Sequence, residues 1–229
     1  MERREFVKFC AASVLMSPGA VAADARPRFY SRAKLVDEGG RAIRAAAIPV
    51  HRNLIFHYPF AATPCFLLNL AKPAAAQVQL KTAGNEAYEW KGGVGAARSV
   101  VAYSAICAHK LSYPTRDISF ISFRAEKSAR NRIANVIHCC SEHSQYDPAE
   151  GARVVAGPAP QPLAAILLEW NSSSDEIHAV GTLGGEMFSE FFAKFGFKLE
   201  LEHGSPRAEV SGTCVVQELD NYCRQQVKC

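Results

Sequence analysis

Nowhere does the chain offer the ~20 consecutive apolar residues that a membrane-spanning helix needs. Its best apolar stretch, roughly residues 9–23, is weak and interrupted by Pro18, and proline inside a helix removes a hydrogen bond and clashes with the preceding turn. Runs of basic residues interleaved with aromatics are missing too. With a formal net charge of only +4, no nucleic-acid surface is expected. Internal repeats and low-complexity tracts are absent, which excludes an array architecture. No long stretch of helical period precedes Glu186, which argues against a helical bundle. What is present is 229 residues, 48% apolar and 21% charged, enough for one domain with a hydrophobic core.

The N-terminus carries Arg3-Arg4-Glu5-Phe6-Val7-Lys8, then the weakly apolar stretch, then the small residues Gly19-Ala20-Val21-Ala22-Ala23. The order R-R-x-F-x-K resembles a signal peptide of the twin-arginine type; the alternative is a basic start to a buried helix. The first reading places the protein in the periplasm, cleaved near Ala22. Membrane association is then expected only through an uncleaved N-terminus. Because that route exports proteins already folded around a cofactor, it also hints at one.

From Ala23 to about Arg44 the sequence is polar and without periodicity, read as an extended lead-in. Strand-like runs then recur: 66–70 before Pro73, the alternating Val78-Gln79-Leu80-Lys81, and the β-branched and aromatic 99–103. Residues 165–170 and 177–180 flank a polar connection as a hairpin. Short strands at regular spacing predict an all-β sandwich or barrel. Residues 186–202 are aromatic-rich and fit a helix or a strand pair, and a polar tail with three cysteines follows.

Two of the eight cysteines sit in a pattern with histidines, Cys107-Ala108-His109 and Cys140-Ser141-Glu142-His143. Each half, C-x-H and C-x-x-H, is a short loop after a strand-like run, offering one thiolate and one imidazole. Zinc would bind all four on one tetrahedral ion; a mixed-ligand 2Fe–2S cluster would take both thiolates on one iron and both imidazoles on the other. Structural zinc sites usually pair like ligands within a loop, whereas here each loop mixes Cys with His. Cys139 is an alternative to Cys140, although C-x-x-H spacing favours Cys140. His51, His57, His138, His178 and His203 are read as structural or solvated.

Tyr146-Asp147 after His143, and Gly157-Pro158-Ala159-Pro160 beyond it, complete a set that resembles the Rieske iron–sulfur family, with its H-G-S-x-Y/F-D run and G-P-A-P proline loop. The resemblance spans about residues 60–185, and 100–109 with the hairpin after Pro160 look most like the small subunit of arsenite oxidase. It implies a Rieske-type antiparallel β sandwich or barrel with a two-loop tip. One 2Fe–2S cluster would be held there by Cys107, His109, Cys140 and His143. It also implies an electron-transfer subunit rather than a catalyst on its own, working with a larger catalytic subunit or a cytochrome. The alternatives are the Rieske subunit of a quinol–cytochrome c reductase and, from a different class, a zinc-stabilised binding module without a redox role. The chain then divides into a signal (1–22), a lead-in (23–59), the cluster domain (60–185) and a C-terminal extension (186–229). Three departures stand out. The positions of the usual interloop disulfide hold Ser112 and Glu142, and His143 to Tyr146 is one residue shorter than the family's spacing. Lys110 occupies a usually apolar position, where an ion pair with Glu142 is expected. Pairing among Cys65, Cys139, Cys214, Cys223 and Cys229 is left open.

Overall fold

The computed structural model describes residues 25–128 and 131–229; the paired arginines and the expected signal lie outside them. The first half of the chain supplies strands β1 (Arg28–Val36), β2 (Leu54–His57), β3 (Pro64–Asn69), β4 (Val78–Lys81), β5 (Ala87–Trp90) and β6 (Val100–Ser104). Next come β7 (Ile118–Ser119), β8 (Ile121–Arg124), β9 (Val136–Cys139), β10 (Ser144–Asp147), β11 (Arg153–Ala156), β12 (Ala165–Trp170) and β13 (Ile177–Leu183). Helix α1 (Phe188–His203), β14 (Gly212–Val215), β15 (Gln217–Glu218), the one-turn helix α2 (Leu219–Tyr222) and β16 (Gln225–Gln226) close the chain. The protein is mostly β, as its short strands and turns predict.

One large sheet runs β14-β1-β13-β12-β6-β3-β2-β15, and a smaller one runs β11-β10-β9-β8. Side chains alternate across a strand, so a strand covered on both faces shows an unbroken apolar run. β3 is such a strand, buried at every position. Its Phe66 and Leu68 enter a core shared with Val101 and Tyr103 of the large sheet and Ile121, Phe123, Ile137 and Tyr146 of the small one. Cys65 and Leu67 point the other way, into a second core with Leu35, Phe56, Ile166 and Ile177. β4 is covered on one face only, and its residues alternate buried and exposed.

Segments from opposite ends of the described chain meet in the large sheet: β1 near its start, and β14 and β15 near its close. β1 lies between β13 and β14, so nine residues of the expected lead-in form a sheet strand. Its apolar period shows only late, because Arg28–Arg32 are exposed or half-buried while Ala33 and Leu35 are fully buried.

Residues 188–203 form a helix rather than a strand pair. Phe188, Phe191, Phe192 and Leu199 make a buried stripe at helical spacing. Gly204, at φ 67°, ends it by donating its amide N–H to the Glu200 carbonyl. The stripe packs on Ile106, Leu111 and Tyr113 of the segment after β6; the Tyr113 and Phe191 rings meet edge to face at 4.8 Å. Full burial of one such side chain is worth about 1.5–3 kcal/mol, so α1 is a substantial prop under that segment. Lys194 Nζ also donates to the Lys110 carbonyl at 2.9 Å.

Candidate metal centre

Two turns meet at one end of the small sheet, one following β6 at Cys107 and one joining β9 to β10 after Cys139. Cys107 and Cys139 are both fully buried, and each thiol shifts the other's pKa, Cys107 down and Cys139 up. The amide N–H groups of His109 and Lys110 donate to the Cys107 sulfur, and those of Ser141 and Glu142 donate to the Cys139 sulfur. The donors therefore sit two and three residues after each cysteine. Four residues after each, the backbone is left-handed, at Leu111 (φ 65°) and His143 (φ 59°). The two turns are geometrically equivalent knuckles, each cradling one sulfur with two amides.

The thiol pair is poised to hold a single negative charge. The neighbouring Cys139 thiol lowers the Cys107 pKa to about 6 against the resistance of burial, with further help from the Tyr146 hydroxyl. Cys139 is pushed up by that same interaction and by burial. Thiolate is the metal-binding form. Tyr146 Oη lies 3.2 Å from both the Cys107 sulfur and the Ala108 amide, which donates to it.

Loop register places the expected ligands differently from the spacing argument. Ile137 and Cys139 face the main core, so alternation turns His138 and Cys140 to the opposite side. There Cys140 forms a disulfide with Cys229, 89 residues away, and Cys229 Sγ lies 3.4 Å from His138 Nδ1. His143 is exposed, and its ring faces that of His138 at 5.9 Å. The structure brings Cys107 and His109 together with Cys139 and Glu142; Cys140 and His143 are not brought to them. Glu142 Oε2 lies 3.9 Å from His109 Nδ1, and Oε1 lies 3.4 Å from Lys110 Nζ, so the expected Lys110–Glu142 ion pair is present. The signal for Cys139 was the one-residue shortfall before Tyr146, which disappears when the second loop is counted from Cys139.

Two buried polar atoms here lack a hydrogen-bond partner, His109 Nδ1 and Ser144 Oγ. Leaving a buried polar group unsatisfied costs about 1–3 kcal/mol. Ser144 pairs directly across from Cys139 in the β9–β10 ladder. Two adjacent thiols in amide cradles with two orphaned polar atoms beside them fit a bound metal group. Over this end lies the Gly157–Pro160 loop. Gly157 has φ +86°, and a Cβ there would stand 2.5 Å from the His143 carbonyl oxygen, so only glycine lets the loop sit so close.

No family model matches the chain. Among solved structures it is similar to the soluble domain of the Rieske protein II (soxF) from Sulfolobus acidocaldarius, at 26% sequence identity, covering 67% of this chain and 78% of that chain, with a TM-score of 0.46.

Proposed function

We propose that this protein is a Rieske-type electron carrier whose two knuckles hold one 2Fe–2S cluster. The observation that carries the reading is the pair of equivalent turns, each offering a buried sulfur in an amide cradle, with His109 and Glu142 lying further out. Cys107 and Cys139 would hold one iron, and His109 would contribute to the other. When bound, such a cluster supplies one-electron transfer, and mixed ligation sets its potential above that of an all-thiolate plant-type cluster. This chain's residues do the rest. The amides of His109, Lys110, Ser141 and Glu142 stabilise the thiolates, Tyr146 donates to the Cys107 sulfur, and the Gly157–Pro160 loop shields the inner side. His109, with 24% of its side chain exposed, is the route by which a partner's redox centre approaches.

The physiological role we infer is that of a soluble electron-transfer subunit or partner of a periplasmic oxidoreductase of arsenite-oxidase type, exported by the twin-arginine route. Among the described residues no helix is long and apolar enough to cross a membrane. The Cys140–Cys229 disulfide suits an oxidising compartment. Metal and acid-labile sulfide analysis of the purified protein tests the cluster reading. Equal amounts of iron and sulfide, two of each per chain, are expected; one zinc and no sulfide would overturn it.

A further inference from the structure

Resting on that reading, we propose that the fourth cluster ligand is the carboxylate of Glu142 and not an imidazole, so that the outer iron is held by one nitrogen and one oxygen. Three observations converge. The first is register: the knuckles superpose by their amide donors and left-handed residues when Cys139 is matched to Cys107. Counted from Cys139, the residue three positions on, where C-x-x-H spacing places a ligand, is Glu142. The second is distance. The gap of 3.9 Å between His109 Nδ1 and Glu142 Oε2 is too long for a hydrogen bond. It lies between the about 3.4 Å of a tetrahedral donor pair and the about 4.2 Å linear limit for two donors each about 2.1 Å from one ion. His109 Nδ1 is buried and unpartnered on that side.

The third observation removes the competitors. His143 occupies the left-handed turn position, exposed, with its ring toward His138. Its carbonyl is packed under Gly157, so its backbone cannot swing round to aim the ring at Cys107. His138 is on the far side of β9 with Cys229. Lys110, 3.4 Å from the other carboxylate oxygen, holds that oxygen in place, which leaves Oε2 free to coordinate. A carboxylate carries a charge that a neutral imidazole does not. The centre would therefore have a lower reduction potential than a two-histidine cluster on the same scaffold.

The test uses the full chain, loaded with its cluster and reduced, with all histidines labelled with 15N. Pulsed EPR counts the histidine nitrogens strongly coupled to the cluster. One coupled nitrogen, unchanged by His143→Ala and by His138→Ala, is expected. Glu142→His should add a second nitrogen and raise the potential. Two coupled nitrogens in the unmodified protein, one of them lost in His143→Ala, would overturn the assignment while leaving the cluster reading intact. Unmodified protein that binds no iron and sulfide sinks the cluster reading and this assignment with it. Glu142→Ala supplies a second measure: halved iron content or a cluster lost within minutes in air supports ligation. Iron content, stability and potential all equal to those of the unmodified protein refute it.

Discussion

Replacing Cys229 with serine isolates the contribution of the C-terminal strap. Cys140 and Cys229 close a loop of 89 residues. In the chain-entropy picture such a crosslink removes about 4.6 kcal/mol of denatured-state entropy at 25 °C, and measured values more often lie at about 2–4 kcal/mol. The tail retains other anchors without the bond: β16 pairs with β7, Val227 N–H donates to Ser119 O, Arg124 donates to Val227 O, and Ser128 Oγ donates to Cys229 O. These keep the native state in place, so the loss appears chiefly through the unfolded chain. At about 2–4 °C per kcal/mol for a protein of this size, Tm should fall by roughly 4–16 °C. Because Cys140 directly follows Cys139, the second knuckle should also loosen, and the cluster should leave faster on heating. Scanning calorimetry of unmodified protein and variant, each with and without a thiol reductant, is the assay. Reductant should bring the unmodified protein down to the variant's Tm and leave the variant unmoved. Equal Tm values under oxidising conditions would refute the strap.

Phe191→Ala removes a fully buried ring from beneath the first knuckle and should cost about 3–5 kcal/mol; a loss under 1 kcal/mol in urea denaturation would mean that α1 does not prop the loop. Tyr146→Phe deletes a hydroxyl 3.2 Å from the Cys107 sulfur and should lower the reduction potential, since hydrogen bonds to cluster sulfurs tune it, at a stability cost of about 1 kcal/mol. An unchanged potential in film voltammetry would show that this contact is idle. Burial is the main cause holding His57 at about 3 and His138 at about 4. Both folded values lie below the ~6.5 of an unfolded histidine, so the unfolded chain binds more protons and stability should fall as pH drops from ~6.5 toward ~3. A denaturation midpoint that stays flat or rises across that window contradicts this.

The strands that build the core were legible because burial leaves a period: β4 alternates and β3 does not, and each pattern follows from how many faces are covered. β1 was missed because its first half is polar and its apolar residues come late, so only its place between β13 and β14 reveals it as a strand. For 186–202 the aromatic content was visible, but helix and strand pair could be separated only by the partner surface around Tyr113. At the site, C-x-H at Cys107 stood out from residue types alone. The choice between Cys139 and Cys140 depends on strand phase, which adjacent cysteines cannot disclose, and the disulfide partner of Cys140 lies 89 residues away, beyond any local pattern.

The most direct test of a cluster between the two knuckles is a continuous-wave EPR spectrum of the purified full chain, reduced with dithionite under argon. A rhombic signal with the low average g of a 2Fe–2S cluster under mixed ligation is predicted, integrating to one spin per two irons and abolished in both Cys107→Ser and Cys139→Ser. A silent, colourless protein would contradict the account, and so would a signal that survives Cys139→Ser but vanishes in Cys140→Ser.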